Sequence, residues 1–197
     1  MSQQAAVFNR RRAGVLLHIT SLPSGTIGAD AYRFVDFLSE SGMTIWQMLP
    51  LGPTHSDYSP YQCLSAHAAS NKLICLDHIG LQDWADLDPF ESDVENVIKV
   101  AYPQFEQRAS DQQKTEFATF CQHQADWLDD YVLFCEIRES QQNQAWFEWP
   151  EALRKRDEAA LSSFKGVCQQ ALTIRKFEQF LFFQQWKALK QYANNKG

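Results

Sequence analysis

The 197-residue sequence has no long hydrophobic run. Nothing in it approaches the roughly 20 continuous apolar residues that a membrane-spanning helix needs. Nor does its opening read as a secretory signal: Gln3 and Gln4 lead into Arg10–Arg12, and the apolar stretch Gly14–Leu17 is too short. Positive charge is scarce. The formal net charge is −6 and no basic cluster exceeds the "NRRR" of Asn9–Arg12, which disfavours nucleic acid as a partner. The five cysteines are odd in number and widely spaced, with no C-x-x-C, and Cys121-Gln122-His123 lacks the companions of a metal site. They read as free buried thiols in a reducing compartment. Motifs of the G-x-S-x-G, H-E-x-x-H and P-loop types are missing too, and Gly25-Thr26-Ile27-Gly28 is too sparse to cradle a phosphate. These absences predict a soluble cytoplasmic protein with no metal, no nucleic-acid partner and no membrane contact.

Aromatic residues, by contrast, are plentiful: 13% of the chain, with 14 Phe and 6 Trp. They fill cores efficiently, and they also stack on sugar rings and bases. "GVLLHI" at Gly14–Ile19 reads as a short buried strand, and "SLPSGTIG" after it as a loop. A helix is predicted from about Asp30 to Ser41, where Ala31, Phe34, Val35 and Leu38 share one face, Asp30 supplies the N-cap and Gly42 follows the C-terminus. "TIWQMLPL" at Thr44–Leu51 is a second apolar run. Strand, helix, strand at this spacing is a βαβ unit, and its runs, apolar on both faces, predict parallel strands covered on both sides. "LICLD" at Leu73–Asp77 is a possible third strand.

Beyond Asp77 the sequence is charged and helical in pattern up to about Gln170, too long to be a crossover and so read as a helical insertion. Its clearest helix spans about Gln124–Glu139. The "WFEW" of Trp146–Trp149 and Pro150 break the pattern before another helix near Glu151–Phe164. A last, strongly apolar helix covers about Ile174–Ala193, with Phe182, Trp186, Leu189 and Ala193 in one row. No repeat, low-complexity tract or linker is present. Two or three strands cannot close an eight-stranded barrel of roughly 250 residues, and bare edges would remain. Residues beyond Gly197 are therefore expected to complete the sheet.

Few residues announce chemistry. The acids Asp57, Asp77, Asp86, Asp88 and Asp129-Asp130 lie in polar surroundings and read as a solvated face. His18, at the end of the first strand, reads as a hydrogen-bonded core histidine before it reads as a site residue. The stretch "DYSPYQ" at Asp57–Gln62 is the exception. Pro60 ends any strand, and aromatics on a loop at a strand exit lie where ligands of parallel sheets bind. The plainer reading is a tyrosine packed on its own loop.

"RAGVLLHITSLPSG", "AYRFVDFLSESGMTIWQMLPLGPT", "SPYQCLSAHAASNKLICLD" and "QFLFFQQWKALKQYANNKG" resemble, in that order, the N-terminal portion of the 4-α-glucanotransferases known as amylomaltases or disproportionating enzymes, glycoside hydrolase family 77. "DWLDDYVLFCEIRE" and "WFEWPEALRKRD" look like the family's helical insertion, so the resemblance runs from Arg12 to Gly197. It implies an α/β fold: the N-terminal part of a (β/α)₈ barrel with a helical inserted subdomain. Residues 1–77 would hold the first strands, 78–172 the insertion and 173–197 a barrel helix. It also implies transfer of α-1,4-glucan segments between maltooligosaccharides by a retaining mechanism, with no cofactor. Ser59, Pro60 and Tyr61 match the family's Ser-Pro-Tyr. Tyr61 would stack on a sugar ring, Ser59 would hydrogen-bond a glucan hydroxyl, and Gln47 and His18 are weaker substrate-binding candidates. The family's nucleophile and general acid match no position here, so no catalytic residue is assigned and the chain alone is predicted inactive. Two departures stand out, a compressed "SGTIGAD" and "HSDY" where the family has a glycine-rich turn and Asp. The alternative is a non-catalytic α-glucan-binding or partner-binding protein that kept the loop and lost the acids.

Overall fold

A computed structural model describes residues 11–197, so the first two residues of the Asn9–Arg12 cluster lie outside it. Strand β1 (Gly14–Leu16) and strand β2 (Ile45–Gln47) pair in parallel, with Val15 opposite Trp46. Helix α1 (Ala29–Glu40) crosses between them, giving the βαβ unit expected from the sequence. Among the described residues these are the only named strands, and the fold is mostly helical.

The strands correct one expectation. They are parallel but not covered: Leu16 is 59% and Ile45 43% exposed, and only the middle residues Val15 and Trp46 are half-buried. A two-stranded ribbon has a neighbour on one edge of each strand, and here the described residues supply only one packed side. Helix α1 buries Ala31, Val35 and Leu38. Its N-cap is Gly28, not Asp30; Asp30 sits in the first turn, where its carboxylate accepts from the Ser24 N–H at 2.9 Å and pairs with Arg33. Gly42 does terminate the helix, at φ +70°, a left-handed conformation that costs a residue with a Cβ about 1–2 kcal/mol.

The third strand is absent. Residues Asn71–Leu73 form a single 3₁₀ turn and Leu76–Gly80 a short helix, α2. Leu73, Ile74 and Cys75 are nonetheless buried, which explains the apolar run. Their backbone needs are met from elsewhere, as the next section describes.

Helices α3 (Val94–Arg108), α4 (Asp111–His123) and α5 (Ala125–Ser140) follow. The single helix predicted near Glu151–Phe164 is two, α6 (Glu151–Arg154) and α7 (Glu158–Val167). Arg156, at φ +59°, breaks the run between them, and Asp157 restarts it by accepting from the Ala160 N–H at 2.9 Å. Helix α8 (Gln169–Lys196) is longer than the apolar pattern suggested and packs on α1, α3, α4 and α5. It joins two cores. Phe177, fully buried, meets Trp84, Tyr102, Phe105, Phe117 and Phe180 at ring-centroid distances of 4.7–6.2 Å in the larger one. Leu172 enters the smaller, with Leu128, Val132, Ile137, Trp149 and Leu161. All five cysteines are free; Cys75 alone is buried and the other four are half-buried.

Candidate functional site

After β2 the chain leaves the sheet and closes on itself as one loop. At its neck the Ser70 N–H donates to the Leu51 carbonyl at 2.8 Å and the Leu64 N–H to the Pro53 carbonyl at 2.7 Å, with Thr54 bridged antiparallel to Cys63. The approach is tight at Gly52, where a Cβ would lie 3.0 Å from both Cys63 Sγ and the Ser65 carbonyl oxygen and would press on both. At the tip the Tyr58 N–H donates to the His55 carbonyl (3.1 Å), the Ser59 N–H to Asp57 Oδ1 (3.1 Å) and the Gln62 N–H to the Ser59 carbonyl (3.1 Å). Asp57 is thus used as a turn former. Tyr58 is held at φ +56°, and Lys72 Nζ lies 4.4 Å above its ring.

This backbone leaves Tyr61 75% exposed. Its ring borders an open groove of about 520 Å³ between the loop and α8, lined by Pro60, His67, Phe182, Phe183 and Trp186 among others. No carboxylate lines that groove. The acids set aside above are occupied elsewhere: Asp129 pairs with Lys176, Asp130 with Arg156 at 2.6 Å, and Asp86 lies 4.0 Å from Arg108.

The site candidates separate. Ser59 and Tyr61 share the loop tip. His18 ties the loop's base: its Nδ1 lies 2.7 Å from Thr20 Oγ1 and 3.3 Å from the Thr20 backbone nitrogen, and its Nε2 lies 3.3 Å from the Pro50 carbonyl oxygen. That links the β1 exit to the β2 exit, a structural bond. Gln47 is exposed at the end of β2, outside the groove lining, and its carbonyl accepts from Leu17 N–H at 2.9 Å.

Sequence reasoning missed what anchors the loop. The Gln179 amide accepts from the Ala69 N–H (2.9 Å) and donates to the Ala69 carbonyl (3.0 Å). The Gln185 amide does the same at Cys75, at 2.8 and 3.0 Å. Between them Asn71 Nδ2 donates to Glu178 at 3.1 Å. Ala69 and Cys75 thus take their backbone partners from side chains of α8, and Leu73 between them accepts from the Ile27 N–H at 2.8 Å, which is why the apolar run needed no sheet. Burial raises the Glu178 carboxyl above the ordinary range, and Arg175 opposes the shift. Among the described residues no group of three or more His, Cys, Asp or Glu is arranged to hold a metal ion, and no helix is long and apolar enough to cross a membrane.

A stiff loop facing rings across an open trough suits a flat molecule with one apolar face and a rim of hydroxyls. The family model described as 4-alpha-glucanotransferase, glycoside hydrolase family 77, matches residues 17–197, and the chain belongs to that family. It is 37% identical to the 4-alpha-glucanotransferase of Synechocystis over 96% of this chain and 42% of that protein. It is also 37% identical to the Thermus thermophilus 4-alpha-glucanotransferase, over 95% of this chain and 41% of that one. The amylomaltase of Streptococcus agalactiae, solved with acarbose, superposes with a TM-score of 0.85 at 34% identity, covering 95% of this chain and 42% of that structure. The chain thus spans about two-fifths of the length of these relatives.

Proposed function

We propose that this chain supplies part of the donor and acceptor cleft of a cytoplasmic 4-α-glucanotransferase acting on maltooligosaccharides and other α-1,4-glucans. The observation that carries the proposal is Tyr61, three-quarters exposed beside a groove walled by aromatic rings. A pyranose offers its C–H face to such a ring and its hydroxyls to Ser59. In this reading β1, α1 and β2, within residues 11–77, open a (β/α)₈ barrel, 78–172 are its helical insertion and 173–197 a barrel helix. The reaction is a retaining double displacement. A carboxylate attacks the anomeric carbon while a carboxylic acid protonates the departing 4-oxygen. The acceptor's 4-hydroxyl then displaces the carboxylate and returns its proton to the acid. No carboxylate lines the groove, and neither acid is assigned to a residue of this chain.

The test is Tyr61→Ala in the natural full-length protein. Transfer between maltooligosaccharides is expected to fall about tenfold in kcat/KM with the fold intact. Unchanged kinetics in the folded variant would remove Tyr61 from the cleft.

A further inference from the structure

Helix α8 carries two amide clamps of identical chemistry, and only one of them adjoins the groove. Gln179, Phe182, Phe183 and Trp186 stand at i, i+3, i+4 and i+7, so they share one face of the helix. Three of the four are the aromatic wall of the groove. The fourth holds Ala69, which lines the same groove and precedes Ser70, the residue that closes the loop neck on Leu51. Gln185 is six residues from Gln179 and looks away from that face; it holds Cys75, outside the groove lining. Both amides are buried, both make two bonds to one residue's backbone, and both lie 110 positions from their partner.

We infer that Gln179 is a positioning residue for glucan binding: it sets the distance between the Ser59–Tyr61 loop and the aromatic face of α8, whereas Gln185 serves the fold alone. This rests on the assignment of the groove as a glucan cleft. The rigid span from Gln179 to Trp186 lies along one helix, so the amide bond to Ala69 and the ring wall cannot move independently. Loss of the clamp leaves the Ala69 N–H and carbonyl unpaired in a buried site, and the loop base must shift to find partners.

The experiment compares Gln179→Met with Gln185→Met in the natural full-length protein, measuring melting temperature, maltoheptaose affinity by calorimetry, and transfer kinetics. Gln185→Met removes two buried hydrogen bonds; Gln179→Met removes the matching two and a longer one to Glu178 at 3.3 Å, so its melting temperature should fall at least as far. Gln179→Met should weaken maltoheptaose binding about tenfold and raise KM, while Gln185→Met stays within about twofold of wild type. Ser70→Pro is the second variant, for use if Gln179→Met does not fold. Ser70 has φ −71°, which proline adopts, so the change removes the neck hydrogen bond to Leu51; the ring Cδ in place of the N–H also pushes the Leu51 carbonyl away, opening the neck, and the variant should reproduce the binding loss. Equal binding losses for the two glutamines, or unchanged affinity in Gln179→Met or Ser70→Pro, would overturn the inference. Tyr61→Ala run alongside separates the two claims. If it weakens binding and the glutamines behave alike, only the positioning role falls; if it has no effect, the cleft assignment falls with it.

Discussion

The βαβ unit and the aromatic core around α8 are both rich in apolar residues, yet they meet water differently. Leu16 and Ile45 leave about half of their surface in solvent, while Phe177, no more apolar, is fully enclosed by five rings. A helix needs one stripe covered, and α3, α4 and α8 lie close enough in space to cover each other's. A parallel strand needs partners on two edges and layers on two faces. Apolar character in this chain therefore reports what a segment is built to be covered by, and only the helical region finds its cover within the described residues.

The comparison breaks most sharply at Phe177. Phe177→Ala should cost about 3–5 kcal/mol, read from urea denaturation, because five surrounding rings cannot all collapse into the void. A cost near 1 kcal/mol would mean that the aromatic core is looser than its ring contacts imply. Glu178→Gln comes next and is read as a pH dependence. The carboxyl is raised in the folded state, so folding favours its protonated form. The wild-type protein then loses stability as pH rises from about 4, the unfolded value, toward the folded one. The glutamine variant lacks that loss, so its stability relative to wild type should improve between pH 4 and 8; a difference independent of pH would contradict a raised carboxyl. Gly42→Ala tests the βαβ side. No atom lies within 4 Å of the added Cβ, so the expected loss of about 1 kcal/mol isolates the cost of the left-handed backbone. Leu16→Ser gives the smallest expected change, under about 0.5 kcal/mol in the 197-residue chain. A loss above about 1.5 kcal/mol there would show that the strands are covered in solution.

Helix α1 was legible because two signals agree, the row Ala31, Phe34, Val35 and Leu38 and the terminating Gly42, although its cap is Gly28 and not the Asp30 that the sequence suggested. The two strands were legible as a parallel pair for the same reason, their spacing around that helix. Leu73–Asp77 was not, because burial looks alike whether a strand neighbour or a pair of glutamine amides satisfies the backbone. Those amides lie far along the chain, where no local pattern points to them. The Ser-Pro-Tyr block singled out Tyr61, which lines the groove, and Ser59, which shares its loop tip outside the lining. The opposite wall was hidden, since Phe182, Phe183 and Trp186 read as core stripe, and nothing in a helical period tells which rings end at an opening.

The fixed offset of 110 residues between each clamp and its partner also has a consequence in time. At a synthesis rate of about 5–20 residues per second, Ala69 and Cys75 emerge roughly 5–20 seconds before the glutamines that pair with them. Until then their amides have only water to bond, beside a greasy Leu-Ile-Cys-Leu run. The newborn chain must keep that stretch from sticking to something else, and the last helix is the cue that ends the wait.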